Sequence, residues 1–252
     1  MKLTVLGCSG SVPGPDSPAS GYLVEAEGYR LVLDMGHGTF GALQRHLRPT
    51  DVDAIVISHL HADHCIDLTA YIVGLRYGGD GYRSGGAETR IPIVGVPGTR
   101  DRLEAAYDPL ARKLSLHEIF TFATPTPGEL GPFRVSYAQM NHPTPTNAVR
   151  IEHGGRSLVY SADTGECEEL VELADAADVL LCEASIGVDE EFVPDLHLTG
   201  RMAGEHAEKA GVERLIVTHV PPWNSPQSAC EEAADAYDGP VELAFPGAVF
   251  TI

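Results

Sequence analysis

The six residues His59-Leu60-His61-Ala62-Asp63-His64 constrain this chain more than any other feature. They follow Ala54-Ile55-Val56-Ile57 and Ser58, a run that reads as a buried strand. Histidines at i and i+2 in extended backbone point to the same side. Asp63 and His64 then fall in the turn into the next helix and aim at a neighbouring point. Three imidazoles and one carboxylate, with no thiolate, suit zinc, manganese or iron better than a structural cysteine zinc site. The plain alternative is a polar loop at a strand end, which gives no reason for four such side chains to converge.

The rest of the chain supplies the scaffold for that cluster. Strand-like runs cover Leu3–Leu6, Tyr22–Glu25, Arg30–Leu33, Ala54–Ile57, Ile91–Val94, Phe133–Tyr137, Ala148–Ile151, Ser157–Tyr160, Val179–Leu181, Leu215–Val217 and Val241–Ala244. Helix-like runs cover Phe40–His46, Ala70–Arg76, Arg100–Tyr107, Glu166–Ala174, Arg201–Ala210 and Ser228–Tyr237. Thr164 and Thr199 are predicted to cap the fourth and fifth helices at their starts, and Gly211 to close the fifth. Strands lead and helices alternate with strands afterwards, and the whole order then repeats. The pattern predicts two β-rich halves with helices outside, a four-layer αβ/βα sandwich within one domain over residues 1–252. Gly78–Gly86 reads as a lid or a solvent loop.

Charge narrows the partners. The chain carries 36 acidic and 17 basic residues, a net charge of −19, and residues 161–252 hold 20 of the acidic ones against 3 basic. Such a surface opposes a polyanion over a Debye length of roughly 8–10 Å, so nucleic acid is not the expected partner. A small anion entering a metal-lined pocket is compatible with it, and solubility alone is the plain reading of the acidity. Five cysteines without a CxxC pair argue against a disulfide framework and fit a reducing cytoplasm. No apolar stretch of about 18 residues is present to span a membrane, and the short apolar start reads as a first strand rather than a signal peptide.

The motif His59-Leu60-His61-Ala62-Asp63-His64 resembles the HxHxDH signature of the metallo-β-lactamase superfamily. That resemblance implies an αβ/βα sandwich with a dinuclear metal site at one edge. It also implies further ligands, each after a later strand. His142 follows Phe133–Met140, Asp163 follows Ser157–Tyr160, and His219 follows Leu215–Thr218. By the family pattern His59, His61 and His142 hold one metal, Asp63, His64 and His219 the other, and Asp163 bridges them. Two divalent ions, zinc first with manganese or iron as alternatives, would then share a water or hydroxide as nucleophile.

Two more segments refine the resemblance. Asp195-Leu196-His197-Leu198-Thr199 and Cys182-Glu183-Ala184-Ser185 are similar to motifs of the ribonuclease Z-like branch. There the extra histidine contacts the phosphate or protonates the leaving oxygen, and the glutamate orients it. This makes His197 the candidate general acid, with an imidazole pKa of about 6.5 before any tuning, and Glu183 its partner. Helix capping is the plain reading of His197, and a structural ion pair that of Glu183. The chain departs from ribonuclease Z in lacking a long Gly/Pro-rich arm and in having no basic residue in Ser11–Ser20. Its late motif is the apolar His219-Val220-Pro221-Pro222-Trp223. Together with Leu6–Val12, Gly14–Tyr22 and the HLHADHC core, that motif resembles the atypical class II cyclic-nucleotide phosphodiesterases of bacteria.

This closer resemblance implies hydrolysis of a small anionic phosphodiester, 3′,5′-cyclic AMP and with it cyclic GMP, to the 5′-nucleotide. A tRNA-processing nuclease, another metal-dependent hydrolase of the fold (lactonase, arylsulfatase or β-lactamase) and a metal-binding sensor without turnover are the competing readings. Dimers are common in the resembled family, which leaves a homodimer open. Trp223 could stack on a base or pack in a wall. Asp67 could orient a ligand histidine or cap a helix. Cys65 reads as a small core residue under the site, and His46, His117, His153 and His206 read as surface or structural.

Overall fold

The computed structural model describes residues 1–79, 90–108, 116–187, 190 and 193–252. Most of Gly78–Gly86 lies outside these residues. Two seven-stranded sheets face one another. The first comprises β1 (Lys2–Gly7), β2 (Gly21–Ala26), β3 (Tyr29–Leu33), β4 (Ala54–Ile57), β5 (Ile91–Gly95) and β6 (Phe120–Ala123), with β14 (Val249–Thr251) beside β1. The second runs from β7 (Gly128–Leu130) through β8 (Phe133–Gln139), β9 (Asn147–His153), β10 (Arg156–Tyr160), β11 (Val179–Glu183) and β12 (Leu215–Thr218) to β13 (Val241–Leu243). Strands β6, β7 and β14 are not anticipated from sequence. Each is three or four residues long.

Side-chain alternation builds the layers. Along β1 to β4, Leu3, Val5, Tyr22, Val24, Leu31, Leu33 and Val56 face the other sheet. Their neighbours Leu6, Leu23, Val32, Ile55 and Ile57 face outward. That outer face is covered by α1 (Thr39–Leu43), α2 (Ala62–Cys65), α3 (Leu68–Tyr77) and α4 (Thr99–Tyr107). In the second sheet Leu158, Tyr160, Val179, Leu181 and Ile216 face inward. Val159, Leu180, Cys182, Leu215 and Val217 pack beneath α5 (Glu168–Leu173), α6 (Gly200–Ala210) and α7 (Pro226–Ala234). Every strand of β1–β4 and β10–β12 is therefore apolar on both faces, as a four-layer sandwich requires.

The anticipated caps divide. Thr199 accepts a hydrogen bond from the Met202 amide, and Gly211 closes α6 with φ +63°. Thr164 does not cap α5; Cys167 occupies that position without a side-chain cap. The Thr164 hydroxyl instead donates to the Gly165 carbonyl and accepts from the Asn141 amide. No helix of the described residues is long and apolar enough to cross a membrane.

Strand directions place the site. β3, β4 and β5 are parallel, and so are β10, β11 and β12. β8 runs antiparallel to β9, and β9 antiparallel to β10, so β8 shares the direction of β10. The carboxyl ends of β3, β4, β8, β10, β11 and β12 therefore meet at one edge of the sandwich, and each strand ends on or just before a polar residue: Asp34, Ser58, Gln139, Ser161, Glu183 and Thr218.

Candidate metal centre

Seven residues anticipated as ligands converge at that edge. His59 leaves β4 and is buried; His61 sits just before α2. His59 Nε2 lies 3.0 Å from His61 Nδ1, which lies 3.3 Å from His142 Nε2. The expected same-side geometry at i and i+2 is thus realised. A second group joins Asp63, His64 and His219, with His64 Nε2 3.3 Å and His219 Nε2 3.8 Å from Asp63 Oδ2. Asp163 stands between the groups. Its Oδ1 is 3.1 Å from His64 Nε2 and 3.3 Å from His219 Nε2, and its Oδ2 is 3.6 Å from His59 Nε2.

The donor set fits two divalent cations. His59, His61, His142 and Asp163 present ligand atoms within 4.8 Å of one another, as do Asp63, His64, Asp163 and His219. His64 Nε2, Asp163 Oδ1 and His219 Nε2 are buried and make no hydrogen bond. Buried polar atoms are normally paired, and three of them turned toward one point are what a cation would satisfy.

The outward-facing ring nitrogens fix how each imidazole is presented. His142 Nδ1 donates to the Leu196 carbonyl at 2.9 Å, which leaves Nε2 as its lone-pair nitrogen. His219 Nδ1 lies 2.6 Å from the Ser20 hydroxyl, and His64 Nδ1 lies 2.8 Å from Asp34 Oδ2. Asp34 is fully buried, and it also accepts from the Ser58 amide, the Ser58 hydroxyl and the Tyr160 hydroxyl. One carboxylate thus ties β3, β4 and β10 to a site histidine. Gly36 makes this possible, since a Cβ there would run into the Asp63 carbonyl.

Electrostatics follow from the crowding. Burial raises the Asp163 carboxyl, but the His219, His64 and His59 imidazoles outweigh it and hold it well below the usual carboxylate range. Burial lowers His64, and the Asp163 and Asp34 carboxylates reverse that, raising it well above an ordinary imidazole. His59 is pushed well down by burial and by His64. Backbone strain gathers here as well: Asp34, Ala162 and His219 have φ of 58°, 53° and 55°, a cost usually met at functional sites.

Beside the ligand clusters stands the other anticipated pair. His197 Nδ1 is 2.8 Å from Glu183 Oε1, and the fully buried Glu183 also accepts from the amides of Thr164, Ser185 and Leu198. The His197 ring lies 5.5 Å from that of His142 and 6.0 Å from that of His219. Burial lowers His197, but the Glu183 carboxylate overcomes it and raises the imidazole to about 9.

The secondary candidates sort as follows. The Asp67 carboxylate neither touches a ligand histidine nor caps its own helix; it accepts from the Phe40 amide and so caps α1. Trp223 is 60% exposed, with its indole N–H on Glu190, and is not a core residue. Cys65 is buried with its thiol on the His61 carbonyl, as anticipated. His206 is buried and accepts from the Cys167 amide, a structural role, and His153 pairs with Glu27. Sequence reading missed Asp34, Ser20 and Tyr160; the only local signal was an acidic residue ending an apolar strand two positions before a glycine.

A dinuclear-type His/Asp centre at the strand-end edge of an αβ/βα sandwich defines a class of metal-dependent hydrolases. A profile of the Beta-lactamase superfamily domain matches residues 29–220, and the chain belongs to that superfamily. It is 44% identical over 247 residues to the uncharacterised protein Rv1339 of Mycobacterium tuberculosis H37Rv, covering 96% of this chain and 88% of that one. It is also similar to the ribonuclease Z of Myxococcus xanthus, 28% identical over an alignment of 304 residues that covers 100% and 97% of the two chains. The crystal structure of the metallo-β-lactamase fold protein YhfI from Bacillus subtilis aligns with a TM-score of 0.84 at 28% identity, covering 99% and 98%.

Proposed function

We propose that this chain is a dinuclear-metal phosphodiesterase that hydrolyses a small cyclic nucleotide, 3′,5′-cyclic AMP and with it cyclic GMP, to the 5′-nucleotide. His59, His61 and His142 would hold one divalent ion, Asp63, His64 and His219 the other, with Asp163 between them. Zinc suits these donors best, with manganese or iron as alternatives. When bound, such a pair supplies Lewis acidity toward phosphoryl oxygens and a nucleophile at neutral pH.

The observation that carries the reading is the Glu183–His197 pair beside Asp163. An alkoxide is a poor leaving group unless it is protonated as it departs. A histidine whose Nδ1 is held by a buried carboxylate is placed to act as proton donor for the 3′ oxygen. Glu183 orients the ring through Nδ1, which leaves the Nε2 proton for transfer. The net charge of −19 and the non-basic Ser11–Ser20 loop favour a small anion over a polyanion.

The test is 5′-AMP formation from 3′,5′-cyclic AMP by the metal-loaded protein, with a chelated control. Chelator-sensitive turnover is expected. A protein with two bound metals that leaves the cyclic nucleotide intact would discard this substrate. The similarity to ribonuclease Z supports a second reading, tRNA 3′ processing, which predicts salt-sensitive RNA binding and cleavage instead.

A further inference from the structure

The segment carrying His197 is tethered on both sides, and the two tethers differ. Downstream, Leu198 N–H donates to Glu183, and Ile186 pairs with Thr199. Upstream, the attachment runs to the neighbouring ligand loop. Asn141, immediately before His142, donates from its side-chain amide to Asp195 Oδ1 at 2.7 Å and to the Glu166 carbonyl at 3.2 Å. His142 Nδ1 donates to the next carbonyl, that of Leu196. Asp195 holds a left-handed backbone at φ +62°, a conformation that aspartate adopts more readily than most residues.

The Asn141 end is itself anchored. Its carbonyl accepts from Gly165 N–H at 2.7 Å, and its amide N–H donates to the Thr164 hydroxyl. Thr164 N–H in turn donates to Glu183, the residue that orients His197. Gly165 has no side chain because a Cβ would lie 2.7 Å from the Asp195 Cα. The hydrogen bonds therefore close a ring: Asn141 to Asp195, along the chain to His197, to Glu183, to Thr164 and back to Asn141.

We infer that Asn141 and Asp195 form a latch that positions His197 over the leaving oxygen, so that its removal costs turnover only of substrates whose leaving group needs a proton. The inference rests on the general-acid reading of His197. Neither latch residue touches a reacting atom; both act through the Asp195–His197 backbone. Of the two upstream contacts, the Leu196 carbonyl bonds the His142 ring itself, whereas the Asn141–Asp195 bond ties the His197 segment to the loop just before His142.

The test compares two diesters on metal-loaded protein. Bis(p-nitrophenyl) phosphate releases an aryloxide that leaves unprotonated, whereas 3′,5′-cyclic AMP releases an alkoxide. Asn141→Asp puts two carboxylates face to face. It is expected to lower kcat on the cyclic nucleotide by about 10–100-fold, the scale of an ångström misplacement, and to spare the aryl diester. Asp195→Asn keeps an acceptor oxygen and tolerates the left-handed backbone, so it should stay near wild type. Adding it to Asn141→Asp restores a hydrogen bond with donor and acceptor exchanged and should recover the part of the loss that the Asp195 contact carries, while the donor to the Glu166 carbonyl stays lost in both.

Hydrogen exchange of the peptide spanning residues 193–199 gives a readout independent of turnover: protection should fall in Asn141→Asp and return in the double variant. Equal losses on both diesters, or unchanged exchange, overturns the latch when His197→Ala still separates the two substrates. If His197→Ala does not separate them, the general-acid reading is what fails, and the latch's role falls with it.

Discussion

Asp34→Asn isolates the buried carboxylate behind the candidate metal centre. The replacement is nearly isosteric, and asparagine tolerates the φ of 58° found there, so backbone strain does not confound it. Asp34 Oδ1 accepts from the Ser58 amide; Oδ2 accepts from the Ser58 hydroxyl, His64 Nδ1 and the Tyr160 hydroxyl. The two hydroxyls can turn to accept from an amide NH2. The Ser58 N–H and the His64 Nδ1–H cannot. Whichever way the new amide faces, one buried donor meets another donor, a conflict of about 1–3 kcal/mol. Loss of a partner behind a metal-binding histidine typically weakens binding by about 10–100-fold, which is about 1.4–2.7 kcal/mol. The two scales agree.

Titration against a chromophoric chelator should therefore show one of two sites weakened by about 10–100-fold, the one containing His64. The His59/His61/His142 site should change less. The metal-free melting temperature should fall by about 2–4 °C for each kcal/mol lost. Unchanged affinity at both sites together with an unchanged metal-free Tm would refute the assignment of Asp34 as the anchor of His64.

Further predictions concern the candidate centre and the proposed general acid. Asp163→Ala should bind fewer than two metals per chain by elemental analysis and lose nearly all turnover; two tightly held metals with full activity would overturn the ligand map. His197→Ala should keep both metals while kcat on the cyclic nucleotide falls by about 10²–10⁴-fold, and an unchanged kcat would remove it from the chemistry. In the metal-free protein the His197 imidazole, raised by Glu183 to about 9, should titrate near there by NMR. A raised folded-state value makes its stabilisation complete below about 6.5 and lost as pH climbs through about 9. Glu183→Gln should bring that titration down, and an unmoved one would break the pairing.

Much of the scaffold was legible because alternation is a local pattern. Leu31, Val32 and Leu33 pack on opposite faces of β3 as any strand of period two must. The helix ends were less legible. Thr164 has the composition of a cap, yet its hydroxyl and amide are engaged by Gly165, Asn141 and Glu183. Asp67, one turn after Asp63, was read as a ligand's neighbour or a helix cap; its carboxylate does cap, but at the start of α1 rather than on its own helix. In both cases a tertiary partner competed with the local motif and won.

The sequence by itself determined the cluster from His59 to His64, because four donors packed into six residues at a strand end have little freedom to diverge. His142, Asp163 and His219 were expected as further ligands from the family resemblance, each after a later strand. Tertiary structure alone decided what holds them. Asp34 reaches Tyr160 across 126 residues, Ser20 reaches His219 across 199, and Asn141 reaches Asp195 across 54. No spacing rule joins such residues. They meet because the strand ends of two stacked sheets share one edge, and buried polar groups must find partners there.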